Sequence, residues 1–148
     1  VQFIEKAIIE TSATAIITHH PGDLNNDHLH TARACLAASR LFQRREDVPR
    51  LMGLYYIEIL SSTDWSFPHL GEKFNPDSFF PIEKYLDKKI DALRAYRHVL
   101  RNFPHPRSRE IIEGLAAYRG GQANLRYAEA YQTAFQSLDE NWMIRTAL

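Results

Sequence analysis

The chain has 148 residues, of which 45% are apolar, enough to fill the core of one folded domain and to exclude a disordered chain. Its 18 basic and 18 acidic side chains cancel, which argues against a nucleic-acid-binding protein. A single cysteine, Cys35, excludes an internal disulfide, and no apolar stretch approaches the roughly 18–20 residues of a membrane span. We therefore expect one domain over residues 1–148 in a reducing, cytoplasmic setting.

The first third of the chain predicts a helix, a strand, a loop and a second helix. Apolar residues at helical spacing over 1–8 predict the first helix. The short β-branched segment 13–18 predicts a buried strand, and Asp27 is the predicted N-cap of a helix over 28–42. This order is typical of the repeating unit of an α/β sheet.

The middle of the chain predicts two further strands separated by a long loop. Residues 53–60 are aromatic and β-branched and predict a strand. Proline and glycine punctuate 61–80, so this segment is predicted to be mostly loop, with a short strand over 78–82 at its end.

The last third predicts mainly helices. Apolar residues at helical spacing over 82–100 predict one long amphipathic helix. Ser108 is the predicted N-cap of the next helix, which the Gly-Gly pair at 120–121 is expected to end. Residues 127–135 fit either a strand or a helix, and the tail beyond them is predicted to be helical.

The segment 18–32, THHPGDLNNDHLHTA, concentrates metal ligands and proton carriers where the first strand meets a helix. Ligands of open α/β sheets bind beyond the carboxyl ends of the strands, and the positive end of a helix favours an anion or oxyanion. By spacing, His20, Asp23 and His28 would hold zinc and leave an open position for water, with Asp27 as general base or as the partner that orients a histidine. The alternative is a loop of ordinary turn-forming residues.

The same segment carries a resemblance to a known family. A strand followed by THHPGDLNNDHLHTARACLAASR resembles the second signature block of the LmbE-like (PIG-L) zinc-dependent N-deacetylases. Further segments agree with the family in order, namely LYYIEILSSTDW, FNPDSFFPI, KKIDALRAY, PHPRS and YAEAY after a Gly-Gly pair. The resemblance covers nearly all of the chain. It implies an α/β fold, a Rossmann-like layered sheet with flanking helices, that lacks its first strand unit or units.

The resemblance also implies an activity. Family members hydrolyse the acetamide of an N-acetylated amino sugar or sugar conjugate, of the N-acetylglucosamine type, and release acetate. Asp27 and His28 match the family's later Asp-His pair, so the resemblance makes His28 a zinc ligand. The family's N-terminal His-Pro-Asp-Asp segment, which supplies two more zinc ligands and the general base, has no counterpart here; residues 20–23 match it only in part. If nothing precedes Val1, the chain is expected to be inactive.

Other residues of the loop have implied catalytic roles. Asn25 stands where many relatives have a histidine, and it can donate a hydrogen bond to an oxyanion but cannot shuttle a proton. His19 or His20 is a candidate for that proton transfer. Asp27 would orient a histidine or cap the helix.

Three residues outside the loop are candidate substrate-binding residues. Glu129 in YAEAY matches a recurrent acidic position of the family and would approach the sugar or the metal. Trp65 would stack on a sugar ring, and Arg107 in PHPRS would bind a phosphate or carboxylate. The alternatives are a solvated carboxylate, a packing tryptophan and a surface arginine.

The sequence is also compatible with two other functions. A self-contained metallohydrolase that uses His20, Asp23 and His28 predicts metal binding by this chain alone. A non-catalytic remnant of the fold predicts no bound zinc and an exposed apolar edge where further strands would pair. As partners we expect a small N-acetyl sugar, neither nucleic acid nor a membrane span, and a second copy of the chain in a homo-oligomer.

Overall fold

Four strands form one mixed sheet in the computed structural model, which describes residues 1–67 and 71–139. The strands are β1 (Ala15–His19), β2 (Gly53–Ile57), β3 (Ser78–Pro81) and β4 (Ala128–Gln136). Their order across the sheet is β1-β2-β4-β3, with β1 parallel to β2 and β4 antiparallel to both of its neighbours. The predicted α/β class is therefore confirmed, and the segment 127–135 is a strand.

Four α-helices flank the sheet. They are α1 (Gln2–Thr11), α2 (Asn26–Ala38), α3 (Leu86–Arg94) and α4 (Arg109–Gln122). Helix α2 packs against β1 and against α1, and α4 packs against β4 and β3. Among the described residues, none of the helices combines the length and the apolar character that crossing a membrane requires.

Buried apolar side chains form two core clusters. The first joins α1, α2, β1 and β2, and the second joins α3 and α4 with residues that flank them. In β1 the side chains alternate as the pleat requires, with Ile16 and Thr18 buried and Ile17 57% exposed. Leu54 in the first cluster is 1% exposed, and Ile90 in the second is 0% exposed.

The N-terminus of α2 differs from its prediction. Asn25, and not Asp27, is the N-cap: its backbone is extended, and its side-chain oxygen accepts a hydrogen bond from the Asp27 N–H at 2.9 Å. The prediction for Asp27 is wrong because Asp27 already lies within the first turn, where its N–H needs a partner. The helix also ends earlier than predicted, at Ala38, and a 3₁₀ turn (Leu41–Gln43) follows.

The long helix predicted over 82–100 is shorter in the structure. It consists of a 3₁₀ turn (Glu83–Tyr85) and then α3, which stops at Arg94. His98 adopts a left-handed conformation with φ 62°, which no helix accommodates in its interior. Leu100 still packs against the second core cluster from the loop. The apolar spacing therefore predicted burial correctly and helix length wrongly.

The start of α4 was predicted correctly, and its end was not. The Ser108 hydroxyl accepts a hydrogen bond from the Ile111 N–H at 3.3 Å, as an N-cap does. The helix continues through the Gly-Gly pair to Gln122. A Cβ on Gly120 would lie 2.6 Å from the Leu125 carbonyl oxygen, so this glycine allows the chain after the helix to pack closely. The predicted helical tail falls mostly on 140–148, outside the described residues.

Strand β1 lies at one edge of the sheet. Within residues 1–67 and 71–139 it pairs with β2 alone, so the backbone groups of its other edge have no strand partner there. On β1 itself, Ile17 is 57% exposed. Sheet edges of this kind are able to accept another strand.

Candidate functional site

The candidate site is a cavity at the carboxyl ends of β1 and β2. Because these strands are parallel and pair His19 with Ile57, both end at the same edge, and residues 58–60 continue into the cavity wall. The cavity has a volume of about 550 Å³. Its polar lining side chains are Asn25, His28, Glu58, Lys89, Arg107, Arg119, Glu129 and Tyr131.

A buried carboxylate holds His28 at the mouth of this cavity. The Oδ2 atom of Asp23 lies 2.8 Å from Nδ1 of His28, and the Asp23 side chain is fully buried. A carboxylate only accepts hydrogen bonds, so Nδ1 carries the proton of this bond. No described residue hydrogen-bonds to the other ring nitrogen, Nε2. The pair therefore presents an oriented imidazole whose Nε2 is left for a ligand.

His19 lies directly against His28. Their rings stack with centroids 4.0 Å apart and an angle of 16° between the planes. Burial, and then the neighbouring His28, lower the pKa of His19, so its neutral form is favoured. Thr18 Oγ1, His19 Nδ1 and Asp23 Oδ1 are buried and have no hydrogen-bond partner among the described residues. Uncompensated polar atoms thus concentrate at the end of β1.

His20 is placed away from the cavity. It is 2% exposed, and its Nδ1 accepts a hydrogen bond from the Gly22 N–H at 3.0 Å. The rings of Tyr56 and Phe74 contact it edge-on, at 5.5 Å and 5.7 Å between centroids. In this arrangement His20 shapes the turn that carries Asp23, and it does not line the cavity.

The buried His20 is expected to make stability depend on pH. Burial lowers its pKa in the folded protein from 6.5, whereas the unfolded chain takes up a proton as pH falls through about 6.5. Stability is therefore lost as pH falls from that value towards the lower folded pKa, and this loss is absent at higher pH. Urea unfolding at pH 7.5 and 5.5 should show a smaller loss in His20→Asn, which keeps an acceptor for Gly22. An equal loss in both proteins would contradict this.

Asn25 and Asp27 have different positions. Asn25 lines the cavity, and because its oxygen caps α2, its side-chain amide group remains free to donate. Asp27 is exposed, and its side chain does not line the cavity. Of the two, Asn25 has the geometry that an oxyanion donor requires.

Glu129 forms one polar wall of the cavity, as part of a three-residue network. Lys89 Nζ donates to its Oε1 at 2.6 Å, and the Tyr131 hydroxyl donates to its Oε2 at 2.8 Å. Burial raises the pKa of Glu129, but the Lys89 ammonium and the two hydrogen bonds outweigh it and lower the pKa overall. Burial and the bond to Glu129 raise the pKa of Tyr131 well above its usual value. The network holds a carboxylate and a neutral phenol in the cavity.

A second ion pair closes another wall. Arg119 donates from Nε and Nη2 to the two carboxylate oxygens of Glu58, each at 2.7 Å. Their side chains are 13% and 16% exposed. The hydrogen bonds to Glu58 raise the pKa of the Arg119 guanidinium. This bidentate geometry fixes both side chains.

Of the other two predicted substrate-binding residues, Arg107 and Trp65, one lines the cavity and the other does not. Arg107 lines the cavity, with its Nε donating to the Ser61 hydroxyl at 2.8 Å. Trp65 is 53% exposed, contacts Phe67 at 6.0 Å between ring centroids, and does not line the cavity.

Sequence reasoning did not find four of the polar lining residues. Glu58, Lys89 and Tyr131 lie inside segments that resemble the family, LYYIEILSSTDW, KKIDALRAY and YAEAY, but were not singled out there. Arg119 lies in none of these segments, and the Glu58–Arg119 pair joins positions 61 residues apart. Glu58 falls inside the strand predicted over 53–60, whereas β2 ends at Ile57, so only the observed strand end places Glu58 at the cavity.

The described residues do not complete a metal site. Within residues 1–67 and 71–139, no group of three or more His, Cys, Asp or Glu side chains is placed to hold a metal ion. Asp23 and His28 bond to each other, and His20 bonds to Gly22. His28 alone fits a ligand role, whereas catalytic zinc takes three protein ligands.

The chain has a structural relative among solved proteins. No family model and no curated protein matches it. It is similar to the crystal structure of the conserved protein TT1542 from Thermus thermophilus, with a TM-score of 0.69 and 19% identity. The match covers 95% of this chain and 60% of that one, so this chain spans less than two thirds of its relative's length. The likeness shows a shared mixed α/β fold.

Proposed function

We propose that the chain forms part of a zinc-dependent N-deacetylase of the LmbE-like type, with a Rossmann-like layered sheet. Its substrate is an N-acetylated amino sugar or sugar conjugate of the N-acetylglucosamine type, from which it releases acetate. The observation that supports this most directly is the 2.8 Å hydrogen bond between Asp23 and His28 at the cavity mouth.

That hydrogen bond is what a metal-binding histidine requires. A ligating imidazole almost always donates its other N–H to a carboxylate or carbonyl, which fixes the ring and makes the free nitrogen more basic. Asp23 does this for His28. Because the described residues provide this one ligand, the proposal requires two further ligands and a general base from outside them.

The remaining cavity residues suit a sugar amide. Asn25 has a free amide donor for the oxygen of the acetamide carbonyl, whose negative charge grows during attack. Lys89, Glu129 and Tyr131 offer donors and acceptors for sugar hydroxyls. Leu60, Leu93 and Leu100 supply an apolar surface for the ring and the acetyl methyl group.

A non-catalytic protein with the same fold is the second candidate. This second candidate is supported by one observation: within the described residues, no three metal-binding side chains are close enough together to hold a metal ion. It differs from the first candidate in one measurable respect, since it releases no acetate from any N-acetyl sugar.

The test is acetate release from N-acetylglucosamine by the whole gene product in the presence of zinc. His28→Ala is expected to lower kcat/KM at least about 100-fold, and Asp23→Asn about 10- to 100-fold. His30→Ala, an exposed histidine on the same helix, is the matched control and should keep the wild-type rate. Wild-type protein that releases no acetate would favour the non-catalytic candidate, and an unchanged His28→Ala rate would refute the site.

A further inference from the structure

The charges of the cavity are paired except for one cation. Lys89 is paired with Glu129 and Arg119 with Glu58. Arg107 bonds instead to a neutral hydroxyl, that of Ser61, through its Nε. In the part of the chain that the structure describes, no carboxylate forms an ion pair with Arg107. The lining therefore holds three cationic and two anionic side chains, and the surplus charge belongs to Arg107.

The loop that carries Arg107 is basic throughout. Residues 95–108, which connect α3 to α4, contain three arginines and two histidines and have neither aspartate nor glutamate. Arg97 and Arg101 are exposed on this loop, while Val99 and Leu100 reach the cavity wall. Charges of one sign on a loop that borders a cleft raise the local concentration of oppositely charged ligands.

The backbone of Arg107 is held in place on both sides. Its carbonyl oxygen accepts a hydrogen bond from the Arg101 N–H at 3.1 Å, and its own N–H donates to Nδ1 of His105 at 3.0 Å. The next residue, Ser108, is fully buried as the N-cap of α4. With Nε fixed on Ser61, the guanidinium is positioned before any ligand arrives, and within residues 1–67 and 71–139 no hydrogen bond occupies its two Nη groups.

We propose that the substrate of this cavity carries an anionic group, a phosphate or a carboxylate, and that Arg107 binds it through its two Nη groups. A guanidinium matches two oxygens of either group with parallel hydrogen bonds. The identity of the sugar portion rests on the proposed deacetylase function, whereas the anion preference rests on the charges of the cavity. Arg107 is thus a specificity-determining residue.

The experiment is calorimetric titration of the whole gene product with three ligands. N-acetylglucosamine 1-phosphate carries a phosphate, N-acetylmuramic acid carries a carboxylate, and N-acetylglucosamine is neutral. At least one anionic ligand is expected to bind about tenfold or more tightly than the neutral sugar. The stronger of the two anions identifies which group the site recognises.

Three variants assign the preference to its residue. Arg107→Met should abolish the difference between the anionic and neutral ligands, and Arg107→Lys should retain part of it as a point charge. Arg45→Met, which removes an exposed arginine outside the cavity, should keep the wild-type ratio. If Arg107→Met does not fold, the test rests on Arg107→Lys. Its ratio of affinities for the anionic and the neutral ligand should be smaller than that of the wild type, and an unchanged ratio would count against the anion site.

The outcomes separate this inference from the deacetylase proposal. Equal binding of all three ligands, no binding of any at millimolar concentration, or an unchanged ratio in Arg107→Met would overturn the anion site. Selective, Arg107-dependent binding without acetate release would support the anion site and refute the deacetylase. Acetate release without any anion preference would support the deacetylase and refute the anion site.

Discussion

Arg119→Met should lower the free energy of unfolding by about 3 kcal/mol, because it leaves the carboxylate of Glu58 without its partner in a mostly buried place. Both side chains are less than one fifth exposed, and two hydrogen bonds of 2.7 Å join them. The bond links α4 to the segment after β2, so its loss also loosens one wall of the cavity. Urea unfolding monitored by circular dichroism measures the change.

Two further variants test whether the loss of stability in Arg119→Met comes from a buried, unpaired charge. The double variant Glu58→Gln, Arg119→Met removes both charges and should recover much of the lost stability, since no unpaired charge remains. Arg126→Met breaks another arginine–glutamate pair between distant positions, with Glu83, but that pair is 72% and 53% exposed. It should cost less than about 1 kcal/mol. A similar loss in Arg119→Met and Arg126→Met would contradict the burial argument.

Leu54→Ala should cost about 3 kcal/mol of stability. Leu54 lies on β2, is 1% exposed, and belongs to the first core cluster. Truncation to alanine loses the transfer free energy of the removed groups and leaves a cavity that the surrounding structure closes only in part. The same unfolding measurement applies, with the denaturant slope as a check that the folded state stays compact.

Leu36→Ala is the matched control for Leu54→Ala. Leu36 is the same residue type on α2, but it is 39% exposed, so its truncation should cost less than about 1 kcal/mol. Equal losses of stability in the two variants would contradict the argument that the burial of Leu54 sets the cost of its truncation.

Much of the fold was predictable because local patterns of apolar residues report burial. The N-terminal helix was located from the spacing of its apolar residues, and the strands at 13–18 and 53–60 from their β-branched and aromatic residues. The errors fall where a single local contact decides the boundary. The N-cap of α2 is Asn25, two residues before the predicted Asp27. The left-handed backbone of His98 prevents the predicted helix from continuing to Leu100.

The proximity of the site residues was predictable only where they are neighbours in sequence. Asp23, Asn25 and His28 lie on one short loop and the first turn of α2, so their proximity followed from the sequence. Glu129 and Arg107 were also predicted as site residues and line the cavity, but no spacing in the sequence places them in one cavity with His28. The loop also contains His20, and nothing in the residue types distinguishes it from His28. Packing against Tyr56 makes that distinction, and it depends on how β2 lies beside β1.

The position of β4 has a consequence for how the protein is made. The last strand in the described residues sits inside the sheet, between β2 and β3, which are both synthesised before it. Until it emerges from the ribosome, β3 has no neighbouring strand in this sheet, and β1 and β2 can pair only with each other. Glu129 and Tyr131 also arrive with β4. Translation must therefore pass residue 136 before the sheet closes, and the cavity forms in that same step.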